Sequence, residues 1–189
     1  EHARGNVARG IALHSEIVEA LEGEHEKSTL GRMIIPSVRS RAFLAWFLVD
    51  AGRFDEAQAQ IERAEAVLKE HDQPYSRVLL NAACGLLAQR NGRPRDAVAP
   101  LEHARDLCLS LQFFVMEPAV SGWLASALVR TGEPARALEI AQQSIDTKRY
   151  LHGGRYTWVY IHQALAEAQF ACGAKATALD TIGHALSIA

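Results

Sequence analysis

The sequence is poor in the residues that build a reactive centre. Its three cysteines, Cys84, Cys108 and Cys172, stand far apart among 189 residues, and no CxxC pair exists. That spacing excludes a cysteine zinc site and a dithiol redox motif. Scattered thiols of odd number also provide no disulfide framework. They fit a reducing compartment, so the chain reads as cytoplasmic. Neither sign of charge dominates: 20 basic and 22 acidic side chains leave a net charge of −2. A nucleic-acid surface needs a basic excess on one face, so no nucleic-acid partner is expected. The longest apolar run, residues 42–51, is too short to cross a bilayer and contains Asp50, so no membrane partner is expected either. HExxH, GxSxG and GxxxxGK[ST] are missing, which leaves three large classes of hydrolase and nucleotide chemistry without their residues. No catalytic residue, metal ligand or cofactor is expected. The chain opens at Glu1 without a charged-then-apolar leader and reads as a piece of a longer polypeptide.

What is present is a repeat. Gly52, Gly92, Gly132 and Gly173 follow one another at intervals of 40, 40 and 41 residues. Five residues after each comes Ala57, Ala97, Ala137 or Ala178, and twelve after comes Ala64, Ala104, Ser144 or Ala185. Seven residues before each glycine stands Ala45, Gly85, Ala125 or Ala166, preceded by Leu44, Cys84, Leu124 or Leu165. Glycine supplies the left-handed residue that closes a helix. Pro94 and Pro134, two residues past their glycines, suit the first turn of the next helix. Small residues at fixed offsets let two helices approach closely, and the large ones between them fill the remaining space.

Each unit is therefore a helix, a tight turn and a second helix. The spacing predicts first helices over 36–50, 74–91, 118–131 and 157–172, and second helices over 54–71, 94–111, 134–150 and 174–188. The expected fold is an all-α, right-handed α-solenoid with a period of about 40 residues. Residues 34–73, 74–115, 116–153 and 154–189 form its four repeats. Residues 1–33 hold the second helix of a truncated repeat, at 6–22, and a charged link.

A leucine and a small residue before the turn glycine, with alanines five and twelve after it, resemble the tetratricopeptide repeat. The period here is longer than the 34 residues of that unit. Its early Trp is replaced by Arg41, Asn81, Ser121 and His162, and its late Pro by Lys69, Leu109 and Arg149. The stretches "IPSVRSRAFLAWFLVDAGRFDEA", "QPYSRVLLNAACGLLAQRNGRPRDAVAPLEHARDLC" and "EPAVSGWLASALVRTGEPARAL" are similar to the C-terminal repeats of large bacterial signalling proteins. Those proteins carry a nucleotide cyclase domain and an ATPase domain ahead of the repeats. The resemblance covers the chain from about Ile34 onward. It implies a non-catalytic scaffold for a protein, a peptide or another domain of the same chain. The alternative it implies is a small-molecule sensor that regulates an upstream ATPase or cyclase.

In a helical solenoid the first helices line a concave groove. Phase relative to the turn glycines places Arg39, Trp46, Asp50, Gln89, Arg90, Ser126, Arg130, Tyr160, Gln163, Glu167 and Phe170 along it. Arg90 and Arg130 share one phase in successive repeats. Two stacked guanidinium groups can clamp a carboxylate or phosphate; alternatively they are surface cations paired with Asp50 and its neighbours. Trp46, Tyr160 and Phe170 are either binding anchors or core.

Other features read more plainly. The histidines look like solvated or capping residues, because no spacing suggests ligation. Glu22 to Lys27 looks like a solvated charge run at a helix end, and Gly153–Gly154–Arg155 like a flexible link. Cys84 and Cys172 fall where the repeat packs. Phe113, Phe114 and Met116, in the aromatic stretch 111–123, either plug the gap between hairpins or protrude as a contact surface. Both ends of the array expose apolar faces, so self-association through them is expected.

Overall fold

The computed structural model describes residues 5–147 and 155–188. Over these residues the chain forms nine α-helices and no strand: α1 (Val7–Leu21), α2 (Pro36–Asp50), α3 (Phe54–Glu70), α4 (Pro74–Arg90), α5 (Pro94–Ser110), α6 (Glu117–Thr131), α7 (Pro134–Asp146), α8 (Arg155–Ala171) and α9 (Lys175–Ile188). A short 3-10 turn, Gly23–His25, follows α1. The architecture is an all-α solenoid. The expected link over 151–155, with its glycine pair, lies largely outside the described residues.

Local chemistry sets the helix ends. Pro36, Pro74, Pro94, Pro118 and Pro134 occupy first turns, where their missing N–H costs nothing. The four turn glycines have φ between 74° and 90°, and each closes its helix with the same two bonds. In α2, Gly52 N–H donates to the Val49 carbonyl at 3.0 Å and Arg53 N–H donates to the Leu48 carbonyl at 2.8 Å. The equivalent pairs close α4, α6 and α8. This is a Schellman cap, which satisfies carbonyls that a helix end would otherwise leave unpaired.

The small residues of the repeat lie between helices. Ala57, Ala64, Ala97, Ala104, Ala137 and Ser144 are fully buried. Gly85 replaces alanine where Leu101 presses in: a Cβ there would stand 2.3 Å from Leu101 Cγ. Where the tetratricopeptide pattern has Trp, this chain places a polar bridge between the two helices of a hairpin. Arg41 Nη1 donates to Gln60 Oε1 at 3.0 Å, and Asn81 meets His103 at 3.1 Å. The His162 ring lies 5.1 Å from that of His184. Ser121 donates to the buried carboxylate of Glu117 at 2.7 Å, and Ser144 of α7 donates to its other oxygen at 2.8 Å. A buried carboxylate requires such partners, because burying it unpaired would cost far more than these bonds return.

The charged link after α1 is pinned rather than solvated. Arg41, only 1% exposed, reaches Glu26 at 2.9 Å and Glu22 at 3.4 Å. Ile35 N–H donates to Ser76 Oγ of α4 at 2.9 Å.

Successive first helices pack on one another unevenly. α2 lies against α4 and α6 against α8, but α4 and α6 meet only lightly. The space between them is filled by aromatic residues. The stretch from Leu111 contributes to this filling: Met116 is buried, and Phe113 packs edge-on to Tyr75 at 5.3 Å.

Candidate functional site

Three first helices position the polar residues of the concave face. The last turn of α4 presents Gln89 and Arg90, the middle and end of α6 present Ser126 and Arg130, and α8 presents Tyr160, Gln163 and Glu167. These seven residues, all placed in the groove by phase, come together around one small cavity of about 30 Å³, completed by Gly122 and Trp123. The close fit of α6 to α8 depends on Gly122. A Cβ there would stand 2.9 Å from the backbone oxygen of Tyr160, with no flexible side chain to give way.

The polar groups have distinct roles. The Glu167 carboxylate is held on both oxygens: Ser126 Oγ donates to one at 2.5 Å and Gln163 Nε2 donates to the other at 2.9 Å. Gln89 is 5% exposed and donates to the Trp123 carbonyl at 3.4 Å, so it ties α4 to α6 rather than facing solvent. Arg90 and Arg130 are exposed, and neither has an ion-pair or hydrogen-bond partner among the described residues. The Trp123 indole is 5% exposed, and its buried Nε1 has no partner there either. The cavity is thus rimmed by two uncommitted cations, while its one carboxylate is already engaged.

The remaining groove residues are placed differently. Trp46 is buried, 6% exposed, against Trp123 at 4.7 Å and Tyr160 at 6.2 Å between ring centres. These rings close the groove between repeats one and three, leaving a void of only about 10 Å³ beside them. Arg39 is exposed near α1, where it lines a separate pocket with Ile17, Leu21 and Leu30. Asp50 is exposed at the end of α2. Phe170 is 61% exposed and belongs to a larger trough that shares Arg130, Gln163 and Glu167 with the small cavity.

Two expectations outside the groove need correction. Cys172 is exposed, not packed, because the residue before the turn glycine sits on the outer side of the cap, as Ala51 and Asn91 do. His14 is not a solvated histidine. It stacks on Phe43 at 5.6 Å and approaches Phe47 at 5.7 Å, and burial, with a smaller contribution from Arg39, lowers its pKa. Burial pushes the Cys84 thiol up to about 11 and the Cys108 thiol up to about 12, so neither is a thiolate at neutral pH. Among the described residues no group of three or more His, Cys, Asp or Glu could hold a metal ion. Among the same residues no helix is long and apolar enough to cross a membrane.

With this geometry in view, comparison with known proteins concerns the fold. Two solved structures of a Podosopora anserina protein described as a putative kinesin light chain of nearly identical TPR-like repeats superpose on the chain. One, a single-substitution variant, gives a TM-score of 0.67 at 19% identity; the other gives 0.64 at 20%. Each alignment covers 98% of this chain and 88% of the other. The fold is that of TPR-like repeats. No protein-family model matches the sequence, and no curated protein matches it. At such identity the likeness extends to the fold alone, and function has to be argued from the site.

Within a TPR-like frame, Trp123 is the residue that phase reasoning passed over. Nine residues before the turn glycines stand Phe43, Ala83, Trp123 and Ala164, large and small in alternation. That alternation was the available signal that the first and third repeats meet.

Proposed function

We propose that the chain is a non-catalytic protein-interaction scaffold, the cytoplasmic repeat region of a bacterial signalling protein. Its partner is a polypeptide, from another protein or from another domain of the same chain, taken on the concave side of α4, α6 and α8. The observation that carries this reading is the pair of uncommitted arginines, Arg90 and Arg130, one repeat apart on a preformed cavity. The resemblance to the repeats of cyclase–ATPase proteins supports the signalling context.

A second reading, a small-molecule sensor acting on an upstream ATPase or cyclase, draws on the same two cations. The cavity's size weighs against it. About 30 Å³ seats one functional group, whereas small-molecule pockets typically enclose about 300–1,000 Å³.

Capture of partners from the parent protein and its neighbours by crosslinking, followed by calorimetry, tests the scaffold reading. The expected result is a polypeptide partner whose affinity falls at least tenfold on Arg90→Gln with Arg130→Gln. Both arginines are exposed, so the fold should persist. A thermal shift given by a metabolite and lost in the same double variant, with no polypeptide bound, would replace the scaffold with the sensor.

A further inference from the structure

The trough beside the cavity has the make-up of a repeat-stacking surface. Val129 of α6, Ala166 and Phe170 of α8, and Ala178, Leu179 and Ile182 of α9 line an open volume of about 720 Å³. In the second and third repeats the residues equivalent to Leu179 are Val98 and Leu138, both half-buried and packed against the core. Leu179 itself is 70% exposed, and Phe170 beside it is 61% exposed. Exposed apolar residues in a cluster, unlike scattered ones, mark a contact surface.

Charge narrows the occupant. The trough and the small cavity are continuous through Arg130, Gln163 and Glu167. The surface they share carries Arg90, Arg130 and Lys175. Lys175 holds its Nζ 5.8 Å from the centre of the Phe170 ring and, like the arginines, has no ion-pair partner among the described residues. Among the described residues Glu167 is the only acidic side chain lining either space, and Ser126 and Gln163 already bind both of its oxygens. The chain as a whole is slightly acidic, with net charge −2, so this cationic face is a local feature. A cationic rim joined to an apolar floor complements a segment that offers a carboxylate beside apolar side chains.

We infer that the partner is an acidic–apolar polypeptide segment. Its carboxylate seats between Arg90 and Arg130, where guanidinium groups can hold it bidentately. Its apolar side chains cover Phe170 and Leu179. This inference rests on the scaffold reading above and adds the chemistry of the bound segment.

Selection of a random 12-residue peptide library on the immobilised chain tests it, with an unrelated helical-repeat protein as background. Enriched sequences should combine Asp or Glu with Leu, Ile, Phe or Met. Replacing the acidic residue of a selected peptide with its amide should weaken binding at least tenfold, as should raising the salt from 50 to 500 mM. Arg90→Gln with Arg130→Gln should abolish the acidic preference and leave the apolar one. Leu179→Glu should do the reverse. Enrichment no better than background, or an acidic preference that survives the double arginine variant, would overturn the inference. So would the absence of peptide enrichment together with self-association, measured by sedimentation, that Leu179→Glu removes, since the occupant would then be a second copy. If a natural partner binds the groove but neutral peptides compete as well as acidic ones, the chemistry fails while the scaffold reading stands.

Discussion

The Trp46 indole meets the Trp123 indole edge-on, with ring centres 4.7 Å apart, although the two belong to the first and third repeats. Solenoids are normally held by contacts between neighbouring repeats only. Here an aromatic contact skips one repeat and closes the N-terminal half of the groove. Trp46→Ala should therefore cost about 3–5 kcal/mol, the usual range for removing a buried large aromatic. It should also uncouple the two halves. Urea unfolding followed by circular dichroism and by fluorescence should give coincident curves for the parent chain and separated curves for the variant.

Gly122 is the other point where first helices touch. Because a Cβ there would meet the Tyr160 backbone rather than a movable side chain, Gly122→Ala has to push α8 away from α6. The expected cost is about 1–3 kcal/mol, typical of overpacking. Displacing α8 also moves Gln163 and Glu167 relative to Arg130. Denaturation and partner titration on the same sample should show loss of both stability and affinity. Unchanged stability would mean that the helix pair is looser than its geometry implies.

The end of α5 offers a stabilising change. Gln112 holds φ of 55° in a cap otherwise like those of the turn glycines, with Phe113 N–H donating to the Cys108 carbonyl at 2.8 Å. A residue with a Cβ is strained in that region by about 1–2 kcal/mol. Gln112→Gly should raise stability by up to about 1 kcal/mol once the extra flexibility of the unfolded chain is counted. The midpoint of urea unfolding should rise with its slope unchanged.

Stability should fall on mild acidification. His14 is lowered mainly by burial, and His162 mainly by burial against an opposing bond from its Nδ1–H to the Trp158 carbonyl at 2.8 Å. Both have folded pKa values below the ordinary 6.5, so the unfolded chain binds more protons. Their contribution is complete above about pH 6.5 and is lost as pH falls through the depressed values. His14→Phe, which keeps an aromatic between Phe43 and Phe47, should flatten part of that decline between pH 7 and 5. A decline of the same steepness in the variant would clear His14 of the effect.

The sequence shows some of this and hides the rest, for physical reasons. The period was legible because local rules generate it. Left-handed glycines, first-turn prolines and small interhelical residues act within one hairpin, and α2 matches its expected bounds. The inward phase of Trp46, Ser126, Tyr160 and Glu167 followed from helical geometry. Closure of the groove by Trp46 and Trp123 did not, because it depends on superhelix curvature accumulated over three repeats. The pinning of Glu22 and Glu26 by Arg41 was hidden in the same way, since the link's path is tertiary. Cys172, by contrast, could have been placed correctly. Ala51 and Asn91 hold the same position, one residue before the turn glycine, at the outer side of the cap.

The central claim is that the concave face of α4, α6 and α8 is the binding surface. Hydrogen exchange of the chain with and without its captured partner tests it most directly. The account predicts added protection in the C-terminal halves of α4, α6 and α8 and at the start of α9. Protection confined to the outer helices α3, α5 and α7, with the concave face unchanged, would contradict it.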